Sequence, residues 1–237
     1  MGDVSRTLRT ATVPALEAVP GLVHGFEQRL GPPGWEDRDE TRRRMAQALA
    51  GAGRLQLLKQ VHGCRVQAAP WDGRPEADAA VADEAGLILG IETADCQPIL
   101  LVDPVRRRVA AAHAGWRGTV AGVAREAVAA LVARGSHPAD LIAALGPSIG
   151  PCCYEVGEEL RGEFGSVGGE FFRAGPRGKP HLDVRAANVR QLEQAGLTPD
   201  HIHHVADCTM CRADLYHSYR REGKGAGRMV NFVGFAK

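Results

Sequence analysis

The sequence predicts an α+β fold, a single domain with a mixed β-sheet core flanked by helices. Short apolar runs bounded by Gly, Pro or Asp recur through the middle of the chain. The connections between these runs are short, which favours a mixed or antiparallel sheet over a pure βαβ array. One strongly amphipathic segment follows them. At 237 residues and 44% hydrophobic side chains, the chain can bury a core without disulfides, so residues 1–237 are expected to fold as one domain.

The first predicted helix covers residues 37–49, because its apolar side chains lie on one side and Gly51 follows its end. A series of strands is predicted next, each a short apolar run between turn-forming residues. These strands are residues 55–61, 86–91, 98–102 and 108–112.

The strongest helical pattern runs from Thr119, a candidate N-cap, to Gly135, with apolar residues at steps of three and four. A strand at 141–145 follows it. The remaining predicted elements are helices at 155–164 and 183–196, a loop at 165–179, and strands at 203–206 and 228–233.

Charge and hydropathy exclude several classes of partner. The net charge of +1 lacks the basic excess that binding to nucleic acid requires. No apolar run approaches the ~20 residues of a membrane span. Pro14, Glu17 and Pro20 interrupt the N-terminal apolar stretch, so no signal-peptide core is predicted. We expect a cytoplasmic protein with no nucleic-acid or membrane partner, while its oligomeric state stays open.

Three predicted strands end in side chains that a transition metal accepts, namely His62, Cys96 and His113. Loops at strand ends commonly carry catalytic groups. Two imidazoles and one thiolate suit Zn²⁺, and three protein ligands leave a position open for water or substrate. No short ligand motif links the three residues, so spacing alone also allows a packed cysteine and two hydrogen-bonded histidines.

The segment His-Ala-Gly-Trp-Arg-Gly (113–118) forms a Gly-rich turn before the strongest helix. Its amides and the positive end of the helix could hold an anion, with Arg117 as a bidentate clamp for phosphate or carboxylate. Arg42 and Arg220 are further candidates for the same anion. The alternatives are a tight turn with a solvated Arg117, and surface salt bridges for the other two.

The other cysteines give a weaker pattern. Cys208 and Cys211 have the C-x-x-C spacing of half a zinc site, but no second pair is expected to complete it. Cys152 and Cys153 are adjacent and poorly placed to chelate one ion together. We therefore expect buried or incidental thiols at these four positions.

Five motifs in order resemble those of the YfiH-like family, which carries the names polyphenol oxidase (laccase domain) and purine nucleoside phosphorylase. The resemblance covers about residues 23–235. The motifs are Lys-Gln-Val-His-Gly (59–63), Thr-Ala-Asp-Cys (93–96), His-Ala-Gly-Trp-Arg-Gly (113–118), Gly-Pro-Ser-Ile-Gly-Pro-Cys-Cys-Tyr-Glu-Val (146–156) and Ser-Tyr-Arg-Arg (218–221).

The resemblance implies a single α+β catalytic domain, similar in fold to a bacterial toxin deamidase of the CNF type. It also implies zinc held by His62, Cys96 and His113. The implied activities are phosphorolysis of adenosine, inosine, guanosine and methylthioadenosine, and deamination of adenosine, so purine nucleosides and phosphate are the expected partners. The chain departs from the family pattern at a shortened segment after Gly31, at Thr41 and at His217. These departures leave the substrate range open.

Two other enzyme classes remain as alternatives. In a Cys–His hydrolase or amidase, including one that edits a cell-wall precursor, Cys96 would attack a carbonyl with His113 or His62 as its base. In a polyphenol oxidase, Cu²⁺ would replace zinc as a substitute. A multicopper cluster needs several H-x-H pairs, whereas the nine histidines of this chain form one, His201 with His203. The H-x-E and P-C-x-x-C signature of cytidine-deaminase-type enzymes is also missing.

Overall fold

Two β-sheets pack face to face, and an apolar core lies between them. The computed structural model describes residues 8–32, 37–165, 168–176 and 178–237. The strands are β1 (Thr10–Ala11), β2 (Leu22–Glu27), β3 (Arg54–Leu57), β4 (Val66–Ala68), β5 (Ala79–Ala82), β6 (Leu87–Thr93), β7 (Gln97–Asp103), β8 (Arg108–Ala114), β9 (Ile142–Leu145), β10 (Phe172–Ala174), β11 (Pro180–Leu182), β12 (Ile202–His204) and β13 (Met229–Phe235). The α-helices are α1 (Pro14–Glu17), α2 (Arg38–Leu49), α3 (Trp116–Ala121), α4 (Val123–Val132), α5 (Leu160–Glu163), α6 (Val184–Gln194) and α7 (Tyr219–Glu222).

The first sheet has the strand order β1-β2-β13-β6-β3, and the second has the order β12-β9-β7-β8-β5-β4. Most neighbouring strands are antiparallel, but β3 with β6, β4 with β5 and β9 with β12 are parallel. Strands β10 and β11 form a small separate ribbon. The predicted fold class, α+β with a mixed sheet core, is confirmed.

Helices cover the outer faces of both sheets. Met45 and Leu49 of α2 pack on the five-stranded sheet against Ile88 and Phe232. On the other side, α4 and α6 bury their apolar faces on the six-stranded sheet. Helix α2 begins where the sequence predicts, because Asp37 accepts hydrogen bonds from the amides of Asp39 and Glu40 in a capping box. The two sheets and the helices on their outer faces thus form four layers, and the candidate functional residues lie at or near the strand ends.

The turn between β6 and β7 passes from one sheet to the other. Asp95 in this turn has a φ of 91°, a left-handed conformation in which Asp is tolerated better than most residues. Strand β8 pairs with β7 so that Pro98 lies opposite His113. This register places the end of β8 directly beside Cys96.

The predicted helix at 119–135 is two helices. Gly122 has a φ of 85°, which ends α3 and begins α4. The prediction of Thr119 as an N-cap was therefore wrong, since Thr119 lies inside α3. Its hydroxyl accepts a hydrogen bond from Nδ2 of Asn188 at 3.0 Å, so α6 fixes this short helix.

Several other elements differ from the predictions. Strands β1, β2, β4, β5 and β11 were not predicted, because the polar, glycine, proline or small side chains in them give a weak strand signal. The helix predicted at 155–164 is confined to α5. Within the loop predicted at 165–179, residues 172–174 pair with β11, while residues 166, 167 and 177 lie outside the described residues. Across the described part of the chain, no helix has both the length and the apolar character needed to cross a membrane.

Candidate metal centre

The structure brings together His62, Cys96 and His113, the three residues singled out at strand ends. One ligand atom from each lies within 4.8 Å of the other two. The two imidazole ring centroids are 4.9 Å apart and the rings meet edge to face. His113 is buried, while His62 is exposed, so the group opens to solvent on one side. The arrangement can hold a metal ion.

Gly115 lies against this group. A Cβ atom at this position would stand 3.0 Å from Sγ of Cys96 and 3.1 Å from Cδ2 of His62. A Cβ atom here would require both side chains to yield by a few tenths of an ångström. The glycine of the His-Ala-Gly motif therefore allows close packing around the three side chains.

Asp78 orients two of the three candidate ligands, and sequence reasoning missed it. Its buried carboxylate accepts hydrogen bonds from the amides of Val61, His62 and Gly63 at 3.1, 2.9 and 2.7 Å. Its Oδ1 also lies 2.8 Å from Nδ1 of His113. An ionised carboxylate only accepts, so Nδ1 carries the proton and Nε2 is the atom available to a metal.

The electrostatics of the group favour a thiolate. Burial raises the pKa of Cys96, but His113 and His62 outweigh this effect and lower it to about 6. Burial lowers the pKa of His113, while the Cys96 thiolate and Asp78 raise it to about 9. Burial also raises the pKa of Asp78, yet hydrogen bonds from His113 and the backbone hold it below its ordinary value. Cys96 is therefore ionised at neutral pH.

Asp95 holds the Cys96 turn against the C-terminal part of the chain. Its carboxylate accepts hydrogen bonds from the hydroxyls of Thr209 and Ser218, at 2.6 and 3.0 Å. It also accepts one from the amide of Arg220 at 2.7 Å. This explains why an aspartate precedes Cys96 and why the Ser-Tyr-Arg-Arg segment lies beside the candidate metal centre.

A cavity of about 760 Å³ opens over the three residues. Its size is within the range of small-molecule sites. Aromatic rings of Trp116, Tyr154 and Tyr219 line it, together with the carboxylates of Glu92 and Asp95. The cationic side chains that line it are Arg38, Arg42, Lys59, Arg74, Arg220 and Arg228.

The three arginines predicted for an anion have different surroundings. Nε and Nη2 of Arg42 donate to Glu92 at 2.9 and 3.0 Å, in a two-point ion pair at the cavity wall. Arg220 lines the cavity and donates to the carbonyl of Glu155 at 2.9 Å. The guanidinium of Arg117 stacks on the Trp116 ring at 4.3 Å, and Arg117 is not among the residues that line the cavity.

A second group was not expected from the sequence. Cys152, Cys153, Cys208 and Cys211 place their four sulfur atoms within 4.8 Å of one another. The expectation that no second pair completes Cys208 and Cys211 was therefore wrong. The two pairs are distant in sequence, so only the fold brings them together.

A family model described as "Multi-copper polyphenol oxidoreductase laccase" matches residues 36–236 of the chain. The chain belongs to this family. The YfiH-like, laccase-domain assignment made from the five motifs is thereby confirmed. Among the described residues, two groups of three or more His, Cys, Asp or Glu side chains lie close enough together to share a metal ion, and both are described above.

Relatives of this laccase-domain chain carry two kinds of name. It is 41% identical over 186 residues to "Purine nucleoside phosphorylase SCO2081" of Streptomyces coelicolor, covering 76% of this chain and 74% of the relative. It is 36% identical over 189 residues to "Adenosine deaminase RL5" of an unknown prokaryotic organism, covering 73% and 72%. The crystal structure of YlmD from Geobacillus stearothermophilus superimposes with a TM-score of 0.83 at 31% identity, covering 98% of this chain and 99% of that one.

Proposed function

We propose that the chain is a zinc-dependent purine nucleoside phosphorylase that also deaminates adenosine. The proposed nucleosides are adenosine, inosine, guanosine and methylthioadenosine. One observation carries the proposal: His62, Cys96 and His113 converge beneath a cavity lined by cations and aromatic rings. The names of the two relatives described above support the same pair of reactions.

The three side chains fit zinc by their chemistry. Two neutral imidazoles and a thiolate form a donor set that Zn²⁺ accepts, with a coordination position left open. The bond between Asp78 and His113 fixes the ring nitrogen that faces the group. Bound there, zinc would supply Lewis acidity to an oxygen of water or phosphate.

The cavity walls supply binding and orientation. Cationic side chains at the wall favour an anion, and Arg220 is held in place by Asp95 and by the carbonyl of Glu155. Burial raises the pKa of Tyr154 to about 12, so its hydroxyl keeps its proton and can donate at neutral pH. The rings of Trp116, Tyr154 and Tyr219 offer flat apolar surface to a purine. Fixing phosphate beside the glycosidic bond would stabilise the positive charge that develops on the ribose.

A screen of nucleosides with and without phosphate tests the function. Purified chain with measured metal content is incubated with each nucleoside, and the products are separated by chromatography. Free base and ribose 1-phosphate that form only with phosphate identify phosphorolysis, and inosine that forms from adenosine without phosphate identifies deamination. Absence of both products from zinc-loaded protein would refute the proposal.

Replacing Arg220 with alanine is expected to raise the KM for phosphate about tenfold, because one charged anion contact is worth roughly 1.5 kcal/mol. The KM for the nucleoside should change much less. Arg117→Ala is the matched comparison, since Arg117 stacks on Trp116 outside the cavity lining. Steady-state kinetics at varied phosphate checks both variants. A larger phosphate effect in Arg117→Ala would instead place the anion at the start of α3.

Zinc uptake at the centre of His62, Cys96 and His113 is expected to release about one proton at pH 7.5. Cys96 is a thiolate above a pKa of about 6, whereas His113 stays protonated below a pKa of about 9. A metal ligand must be unprotonated, so binding displaces the proton of His113 and weakens as the pH falls. Calorimetry of zinc binding in buffers of different ionisation enthalpy gives the number of protons released. The number for Cys96→Ser is subtracted from the number for wild type, and the difference belongs to this centre. No difference between the two would contradict the assigned protonation states.

The alternative Cys–His hydrolase is favoured by the placement of Cys96 beside His113, where, despite burial, His113 helps to lower the pKa of Cys96 to about 6 and Cys96 helps to raise the pKa of His113 to about 9. A thiolate beside a protonated imidazole is the charge state of an activated nucleophile. Chelation and alkylation separate the two functions. Full activity toward an amide substrate after metal removal, abolished by alkylation of Cys96, would support the hydrolase. Nucleoside activity lost on chelation and restored by zinc supports the phosphorylase.

Copper can occupy the same donor set, because Cu²⁺ exceeds Zn²⁺ in intrinsic affinity for such ligands. The described residues supply one group of mixed histidine and cysteine ligands and one group of cysteines. This ligand set offers a single histidine-containing centre, so we propose zinc as the native ion and copper as a substitute.

A further inference from the structure

The four cysteines away from the cavity form a compact group built by two loops. Cys152 and Cys153 lie in the turn after Gly150, and Cys208 and Cys211 lie in a turn after β12. A parallel bridge between Ser148 and Cys208 joins the two loops. Sγ of Cys211 lies 3.7 Å from Sγ of Cys152 and 3.4 Å from Sγ of Cys153.

These distances suit a shared ion. A tetrahedral zinc with Zn–S bonds of about 2.3 Å keeps its sulfur atoms about 3.8 Å apart. A disulfide brings two sulfur atoms to about 2.05 Å, and all four cysteines here are free thiols. Cys152 and Cys211 are exposed, so packing of an apolar core does not account for their grouping.

The surroundings of the group supply hydrogen bonds to one sulfur atom and a positive charge nearby. The amide of Gly150 donates to Sγ of Cys208 at 3.3 Å, and the amide of Cys211 also donates to Cys208. A zinc ion with four thiolates carries net negative charge. Arg185 offsets it, because its guanidinium interacts electrostatically with Cys208 and Cys152. The same guanidinium donates to the carbonyls of Ala206 and Asp207 at 3.2 and 3.4 Å, which holds it beside the group.

We propose that Cys152, Cys153, Cys208 and Cys211 form a second zinc site, closed by four thiolates. A closed four-ligand site is structural, since it leaves no position for substrate. Cys208 and Cys211 supply the C-x-x-C half of the site. The adjacent pair from the other loop completes it.

The site would join two loops that build the cavity. Tyr154 follows the first cysteine pair directly and lines the cavity. Thr209 lies between the other two cysteines and bonds to Asp95, next to Cys96. Nη1 of Arg221 donates to the carbonyls of Thr209 and Met210 at 2.8 and 3.0 Å, which ties the same loop to α7. The second zinc would thus fix the wall of the first centre without contacting substrate.

Metal counting tests the proposal. Protein is purified with a volatile reductant and without chelator, and zinc per chain is measured by elemental mass spectrometry. We expect about two zinc ions in wild type, about one in Cys96→Ser, about one in the double variant Cys208→Ser with Cys211→Ser, and about two in Cys64→Ser, whose thiol lies outside both groups. One zinc in wild type and none in Cys96→Ser would overturn the second site.

A second measurement does not depend on folding of the double variant. Cys96→Ser retains all four thiols of the second site, so it is titrated with Co²⁺ alone after metal removal. One equivalent that produces an intense near-ultraviolet thiolate-to-cobalt band supports the site, and absence of the band overturns it. Mass spectrometry of the denatured wild type without reductant is the final control, because a mass lowered by disulfide formation would assign the four cysteines to redox chemistry instead. These readouts are independent of enzymatic activity.

Discussion

Replacing His113 with alanine is expected to abolish phosphorolysis and deamination together. The proposed zinc would lose a buried ligand, and the partner that keeps Cys96 ionised would disappear. Loss of a metal and of a positioned acid or base typically removes at least about 10³-fold in kcat/KM. Both activities should fall in parallel, and zinc should decrease by about one ion per chain.

His137→Ala is the matched control for this prediction, because His137 is exposed and makes no side-chain cap at the start of its turn. It should retain both activities and its full zinc content. Cys96→Ser is a second variant that creates no large cavity, because it exchanges one sulfur atom for one oxygen atom. It should lose phosphorolysis and deamination just as His113→Ala does. Survival of either activity in a folded His113→Ala protein would contradict a shared metal centre.

Local signals in the sequence were sufficient for some elements and not for others. Helix α2 was predicted because its apolar spacing and the glycine at position 51 after its end are both local signals. Strands β6 to β8 are continuous apolar runs and were found for the same reason. Strand β5 is Ala-Ala-Val-Ala, whose small side chains carry little strand preference, and it forms through pairing with β8. The break at Gly122 was missed because the apolar period continues across it.

Some residues of the candidate site could also be found from local sequence signals, and others could not. His62, Cys96 and His113 each follow an apolar run, so the sequence could single them out, although His113 lies within β8 and His62 lies in the loop beyond β3. Asp78 could not be found in this way, because it is 16 positions from His62 and 35 from His113, with no fixed spacing to either. The cysteine pairs are likewise separated by 58 positions between Cys153 and Cys211, so their meeting depends on tertiary structure.

Asp78→Asn is expected to lower zinc affinity about 10- to 100-fold, the usual effect of removing a group that orients a metal ligand. The neutral amide offers one acceptor oxygen where the carboxylate has two, so it cannot retain the three backbone bonds and the His113 bond together. His113 would lose its fixed tautomer and the loop around His62 would loosen. Stability should also fall, by about 1–3 kcal/mol, because a charged acceptor of buried hydrogen bonds is removed.

Asp103→Asn is the control that separates the effect of Asp78 on zinc binding from its effect on protein stability. Asp103 is equally buried at 0% exposure and accepts hydrogen bonds from the amides of Val105 and Arg106 at 3.0 and 2.8 Å, but it lies at the opposite end of β7 from Cys96. Both variants should lose a similar free energy of unfolding in urea denaturation, whereas only Asp78→Asn should weaken zinc binding in competition with a chromogenic chelator. Nitrogen NMR of the His113 ring in zinc-loaded protein, where the ring is neutral, should show the change of tautomer in Asp78→Asn alone. Equal zinc affinities in the two variants would show that Asp78 contributes to stability only. The orientation of His113 would then have to come from Cys96 and Gly115.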